Sequence, residues 1–310
     1  MISFLIACYE QDIRHLVRSL HAQGMQRPES FEIIAHDNGG DDSLQEMLRR
    51  DLQELKGVRF HSGESSPSRS ASRNWLASKA QFPYLVFLDG DSATPDAHYV
   101  DRYFDLLPTD SVWVGGTAYR KDVPVKGRRL RWVYGKAREE HSAKSRSSAT
   151  EYGFSSFNFL IPAQAFQSIR FRESIMRYGH EDTLFGVELS DRGIALAHCD
   201  NPLLHEGLDE DSVFMEKTRT GIQTLLQLTE EGTLKKGTRL YQQYKSLRKL
   251  GLVPLYRFLF GALRGGCERN LKSGAPSLVL FDLWRLGMLC ELDKKKDPVK
   301  QRGLPSKSND

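Results

Sequence analysis

A chain of 310 residues, 39% of them hydrophobic, can bury a substantial core as one large domain or one domain with an appendage. Its net charge of +4 names no partner, and no run approaches the roughly 20 apolar residues of a membrane-crossing helix, which excludes such a span. The four cysteines (Cys8, Cys199, Cys267, Cys290) lack metal-ligand spacing and short-range pairing, which argues for reduced thiols in a cytoplasmic setting.

Met1–Ala7 has no basic n-region and is too short for a signal peptide, so residues 2–7 read as a buried strand. Ile13, Leu16, Val17 and Leu20 recur at helical spacing, on a helix ending near Gly24. Phe31–His36 is predicted as a second strand, closed by the turn signal Asp37-Asn38-Gly39-Gly40. A polar helix over 42–55, a short strand over 58–61, a helix over 67–80 and a strand over 84–88 follow. This alternation with short links predicts an α/β fold: a doubly wound, mostly parallel sheet flanked by helices, with its ligand across the carboxyl ends of the strands. Tyr9-Glu10, Asp37-Asn38 and Asp89–Asp91 all fall at such ends.

Beyond Pro108 the pattern changes. A strand is expected over 112–117. Residues 120–146 then carry ten Lys/Arg against three Asp/Glu with poor periodicity, and read as a basic loop or excursion. A strand over 156–161, a helix over 181–191, a strand over 194–198 and a helix over 211–228 come next. From about Thr238 the chain is basic and helical, with Leu255, Phe258, Leu259 and Ala262 in one apolar stripe and a denser apolar segment over 278–289. The last dozen residues read as disordered.

The chemistry concentrates at Asp89-Gly90-Asp91. Two carboxylates of a strand end, two residues apart, point the same way, and Gly90 lets backbone approach closely. Their repulsion is relieved by a hard divalent ion, Mn²⁺ or Mg²⁺, that also holds a diphosphate. No G-x-G-x-x-G follows a strand, and Gly232–Thr238 has Thr238 where a phosphate loop needs lysine, which argues against a dinucleotide-dependent dehydrogenase or a P-loop kinase.

In order and spacing, five segments carry a family likeness. They are Ala7-Cys8-Tyr9-Glu10, Asp37-Asn38-Gly39-Gly40, Ser70-Ala71-Ser72-Arg73-Asn74, Asp89-Gly90-Asp91, and Gly179-His180-Glu181-Asp182 followed by Leu184–Leu189. Over residues 1–230 the chain resembles the GT-A glycosyltransferases of family 2. The resemblance implies a nucleotide-sugar site holding Ala7, Tyr9, Glu10, Asp37, Asn38, Arg69, Arg73, Asp89, Gly90 and Asn158. It implies metal ligation by Asp89, Asp91 and His205, and an acceptor side with His180 and Glu181.

Some of these roles also have a direct physical reading. Asp37 can accept a base N–H or ribose hydroxyl, or merely close an Asx turn. Tyr9 can stack on a base or sit in the core. Arg73, and less directly Arg69 one turn earlier, can grip phosphate bidentately. Asp182 is assigned by resemblance as the general base; Glu181 orients the acceptor or caps the helix that starts there.

The expected protein is a metal-dependent, inverting glycosyltransferase, with a UDP-sugar as donor and a glycan or lipid-linked acceptor. No nucleic-acid signature accompanies the basic stretch. The expected organisation is a GT-A domain over 1–235, divided at 107 into nucleotide and acceptor halves, a helical extension over 236–293 and a basic tail over 294–310. Peripheral association with the inner membrane face through the basic C-terminal helices is a further expectation. The alternatives are a sugar nucleotidyltransferase, which shares the sheet, or a non-catalytic glycan- or nucleotide-binding relic.

Overall fold

A computed structural model describes residues 1–62, 68–148, 153–234 and 238–294, the last residue by its backbone only. The alternation holds through β1 (Ile2–Cys8), α1 (Arg14–Gly24), β2 (Phe31–Asp37), α2 (Asp42–Leu52), β3 (Val58–Ser62), α3 (Arg69–Lys79) and β4 (Tyr84–Asp89). There follow β5 (Ser92–Ala93), α4 (Tyr99–Phe104), β6 (Val112–Val114), β7 (Thr117–Ala118), α5 (Arg129–Arg138), α6 (Ala143–Ser148), β8 (Asn158–Pro162), α7 (Ala163–Ile169) and α8 (Glu181–Asp191). The chain closes with β9 (Leu196–His198), β10 (Leu203–His205), α9 (Asp211–Glu230), α10 (Arg239–Lys249), α11 (Val253–Leu271) and α12 (Leu278–Lys294). The expected helix start at Pro67, the boundary at 235–236 and the tail from 295 lie outside the described residues.

The main sheet has the order β3-β2-β1-β4-β8-β6-β9. β1, β2, β3 and β4 are parallel, while β8 runs antiparallel to both β4 and β6. The strand order reverses between β1 and β4, and this switch point is where an open α/β sheet leaves a crevice. Register decides what reaches it: Cys8 pairs with Asp37, and Ala7 with Asp89. A second sheet, β5-β10-β7, sets His205 antiparallel to Ser92.

β1 is buried on both faces, as parallel strands are. Phe4 and Ile6 pack with Leu16, Val17 and Leu20 of α1, and Leu5 with Leu76, Phe87 and Phe159. A separate core joins α5 and α8 to the C-terminal helices through Leu130, Leu184, Phe214, Tyr244, Phe260, Phe281 and Trp284.

One expectation is corrected. Residues 120–146 are no simple loop, since they contain α5 and most of α6. The first turn of α5 is held from a distance, the Leu130 N–H donating to Asp211 Oδ1 at 2.9 Å. Leu130 is buried, and the half-buried Tyr134 ring lies 5.6 Å from Phe214. A helix stabilised by remote partners leaves little periodicity in its own residues.

Candidate active site

Two adjoining hollows, of about 770 and 550 Å³, open along the switch point. Ala7, Tyr9, Asn38, Ser68 and Gly90 line the first, and His180, Asp182, His205, Arg131 and Phe281 line the second. Arg69, Arg73, Asp89, Asp91 and Glu181 border both. The acidic pair and the Glu-Asp pair, 90 residues apart in sequence, therefore meet at one junction.

Ser68 caps α3 by accepting from the Ala71 N–H, which aims the first turn at the strand ends. Arg73 is buried and donates to Asp89 Oδ1 at 2.7 Å, with its guanidinium 5.4 Å from the Phe171 ring centroid. Its Nη1 is buried without a hydrogen-bond partner. Arg69 lies over the Tyr178 ring at 4.9 Å. Gly90 is needed sterically: a Cβ there would stand 2.4 Å from Cys8 Cβ. Gly207 is equally constrained, since a Cβ would come within 2.4 Å of Asp91 Oδ2.

Burial, and then the Asp89 carboxylate, push Asp91 up to about 6. His205 stands beside it, Nε2 lying 3.8 Å from Asp91 Oδ2, because β10 pairs with the strand that follows the acidic motif. Its ring is stacked between Tyr119 and Phe157, at 5.5 and 5.2 Å between centroids. Burial, and then Arg131, pull this imidazole down to about 4, so it is neutral near pH 7 and able to bind a metal. Its Nδ1 is buried without a hydrogen-bond partner.

His205 Nε2 and Asp91 Oδ2, 3.8 Å apart, are near enough that both would reach a single divalent ion. Asp89 is turned to Arg73, and among the described residues no three His, Cys, Asp or Glu side chains converge as a closed cage. An open carboxylate and imidazole set of this kind would suit Mg²⁺ or Mn²⁺.

On the other side of the junction, Gly179 and His180 both have positive φ, +99° and +69°, and turn the chain into α8. His180 Nδ1 lies 3.3 Å from Thr183 Oγ1, and burial pulls its imidazole down to about 4. Asp182 Oδ1 accepts from the Thr183 N–H at 2.6 Å. Burial, and then Glu181, push the Asp182 carboxyl up to about 6.

Three expected donor-side residues stand apart from the hollows. Asp37 is fully buried and accepts from the Glu10 N–H at 2.9 Å, the Gly39 N–H at 3.2 Å and Gln45 Nε2 at 3.3 Å. It organises the turn. Glu10 accepts from the Gly40 N–H and braces the same turn. Asn158 is buried away from the cleft, accepting from the hydroxyls of Tyr99 and Tyr103 and donating to the carbonyls of Gly116 and Asn201. With both amide hydrogens and both oxygen lone pairs engaged, it has nothing left for a donor sugar.

Other lining residues escaped the sequence reading. Arg131 sits in the basic stretch without periodicity to mark it, and its side chain pairs with Glu139 at 3.0 Å. Phe281 and Arg285 of α12 also line the second hollow, so the C-terminal helices help to build the site. Gly207, two residues after His205, was visible only as part of a strand-end sequence.

The family model for glycosyl transferase family 2 matches residues 3–173. No curated protein matches the chain in sequence. Among solved structures, the mannosyltransferase PcManGT from Pyrobaculum calidifontis, crystallised with GDP-Man and Mn²⁺, is similar at 11% identity and a TM-score of 0.58, covering 94% of this chain and 87% of that one. S. aureus TarS 1–349 in complex with UDP is similar at 14% identity and a TM-score of 0.50, covering all of this chain and 94% of that one. GalNAc-T7 with UDP, GalNAc and Mn²⁺ is similar at 14% identity and a TM-score of 0.50, covering 66% of this chain and 43% of that one. The chain spans 39% of the longer S. aureus TarS structure. These likenesses carry the GT-A fold, and the match over more than half of the chain carries the family. The chain belongs to glycosyl transferase family 2 and is a GT-A glycosyltransferase.

Proposed function

We propose that this protein is a metal-dependent, inverting glycosyltransferase that moves a sugar from a UDP-sugar to a hydroxyl of a glycan or lipid-linked acceptor in polysaccharide biosynthesis. The observation that carries it is the junction, where Asp89, Asp91, Arg73 and Glu181 face both hollows and Asp182 faces the second. PcManGT and GalNAc-T7, crystallised with Mn²⁺ and a nucleotide or nucleotide sugar, support the metal and the donor class.

In this reading residues 1–107 bind the nucleotide, 108–235 carry the acceptor side, and 236–293 form a helical extension in a cytoplasmic protein. Tyr9, Asn38 and Ala7 border the nucleoside, while Arg69 and Arg73 supply positive potential to the diphosphate. Asp37 and Glu10 act by holding the turn that Asn38 belongs to. Asp91 and His205, with Asp89, would hold Mn²⁺ or Mg²⁺, which would supply positive charge to the departing nucleoside diphosphate. Glu181 and His180 orient the acceptor. Asp182 accepts the proton of the attacking hydroxyl, and an attack opposite the leaving group inverts the anomeric centre. No covalent glycosyl–enzyme is required.

The test is thermal unfolding with UDP and with a panel of nucleotide sugars, each with and without Mn²⁺. UDP is expected to raise Tm only when Mn²⁺ is present, because a ligand of the folded state stabilises it by mass action. A Tm unmoved by any nucleotide in Mn²⁺ overturns the reading.

A further inference from the structure

The stripe formed by Leu255, Phe258, Leu259 and Ala262 lies on a helix that also has a buried face. Phe260 packs over Gly287 of α12, Leu271 is fully buried, and the Tyr256 hydroxyl donates to the Leu283 carbonyl at 3.0 Å. The stripe itself faces outward. Leu255, Phe258, Leu259 and Leu263 are 54%, 75%, 49% and 64% exposed, and Leu250 and Leu252 continue the patch into the preceding turn. A helix apolar on its outer as well as its inner face is abnormal for a free surface, and grouped exposed side chains of this size mark a contact site.

Charge selects the occupant. From Arg239 to Lys272 the chain carries eight Lys/Arg and one acid, Glu268, which pairs with Arg264. A second copy meeting this face about a two-fold axis brings the same cationic excess against itself. An anionic lipid surface accepts both components, the apolar side chains entering the acyl boundary and the cations remaining among the headgroups. No helix among the described residues is long and apolar enough to cross a membrane, so the contact is with the surface.

We propose that the outward face of α11, with the basic last turn of α10 (Arg248, Lys249), docks on an anionic bilayer. The placement also bears on the acceptor. α12 lies between this face and the second hollow, contributing Phe281 and Arg285 to the hollow, and α10 contributes Leu240. The helices packed on α11 thus also line the hollow, an arrangement that suits an acceptor with a lipid anchor. That last step rests on the glycosyltransferase reading, whereas the docking surface does not.

The experiment is co-sedimentation of the full chain with vesicles of phosphatidylcholine alone or with one-third phosphatidylglycerol. A triple variant, Phe258→Ser, Leu259→Ser and Leu263→Ser, is run beside it, and Mn²⁺-dependent UDP stabilisation and oligomeric state are measured on both proteins. Binding is expected only to the anionic vesicles, weakening with added salt and falling at least about tenfold in the triple variant, with Tm little changed because the substituted side chains are exposed. Equal binding to neutral vesicles, no binding, or a dimer that the triple variant dissociates overturns the proposal. If vesicles bind while UDP has no effect, the docking surface stands and the nucleotide-sugar reading falls.

Discussion

The two hollows are built by different means. At the first hollow, adjacent parallel strands bring Ala7, Asp37 and Asp89 to one edge through two registers, and Asp37 is held by the Glu10 and Gly39 N–H groups and Gln45 Nε2. At the second hollow, α5, α8, α9 and α12 contribute side chains from segments spread over more than 100 residues. A sheet edge is geometrically determined once its strands pair, so the wall of the first hollow is a property of the fold. A wall of packed helices depends on which side chains fill the gaps. It can change without disturbing the sheet, which is how one fold serves many acceptors.

If the division is real, substitutions on the two walls separate binding from turnover. The largest effect is expected from Asp182→Asn, which removes the proton acceptor: kcat should fall about 10²–10⁴-fold while UDP affinity in Mn²⁺ is unchanged. Steady-state kinetics beside calorimetric UDP titration reads both. Wild-type turnover removes Asp182 from its role, and a matching loss of UDP affinity dissolves the division.

Asp91→Asn should do the reverse and abolish the Mn²⁺-dependent part of UDP binding. His205→Ala should weaken it by about 10–100-fold, the usual cost of a lost ligand or its support. A metal dependence left intact in His205→Ala restricts the site to carboxylates. Gly207→Ala tests the packing of the loop on Asp91, since its Cβ would fall 2.4 Å from Oδ2. A loss of metal-dependent UDP binding smaller than that of Asp91→Asn is expected, with the fold preserved by circular dichroism.

A smaller effect follows from pH. The Asp182 carboxyl is held up to about 6, so log(kcat/KM) should fall by one unit per pH unit below about 6. Stability runs the opposite way. A carboxyl raised in the folded state contributes stability that is fully present below the unfolded value, and this is lost as pH rises through about 6. Asp182→Asn should therefore equal or exceed the wild-type Tm at pH 7.5, joining a large catalytic loss to no loss of stability. A Tm several degrees lower shows instead that Asp182 supports the structure.

Much of the first hollow's wall was legible in the chain. Strands announced by apolar runs, a turn signal after β2 and an acidic pair after β4 are local features, and each appears where its residues predict it. Asn158 was placed at the donor by family resemblance alone, while its actual partners, Tyr99, Tyr103, Gly116 and Asn201, lie 40 or more residues away in sequence. α5 was misread as a loop for a related reason, its first turn being held by Asp211.

The sequence alone determined the alternating α/β framework and the identity of its charged strand ends, because side-chain periodicity and turn chemistry act between near neighbours. Only the tertiary structure decided that His205 stands beside Asp91, that the apolar stripe of α11 faces outward, and that α12 lines the second hollow. Those outcomes depend on strand pairing and helix packing between segments far apart in the chain. No local pattern encodes which of several apolar faces finds a partner.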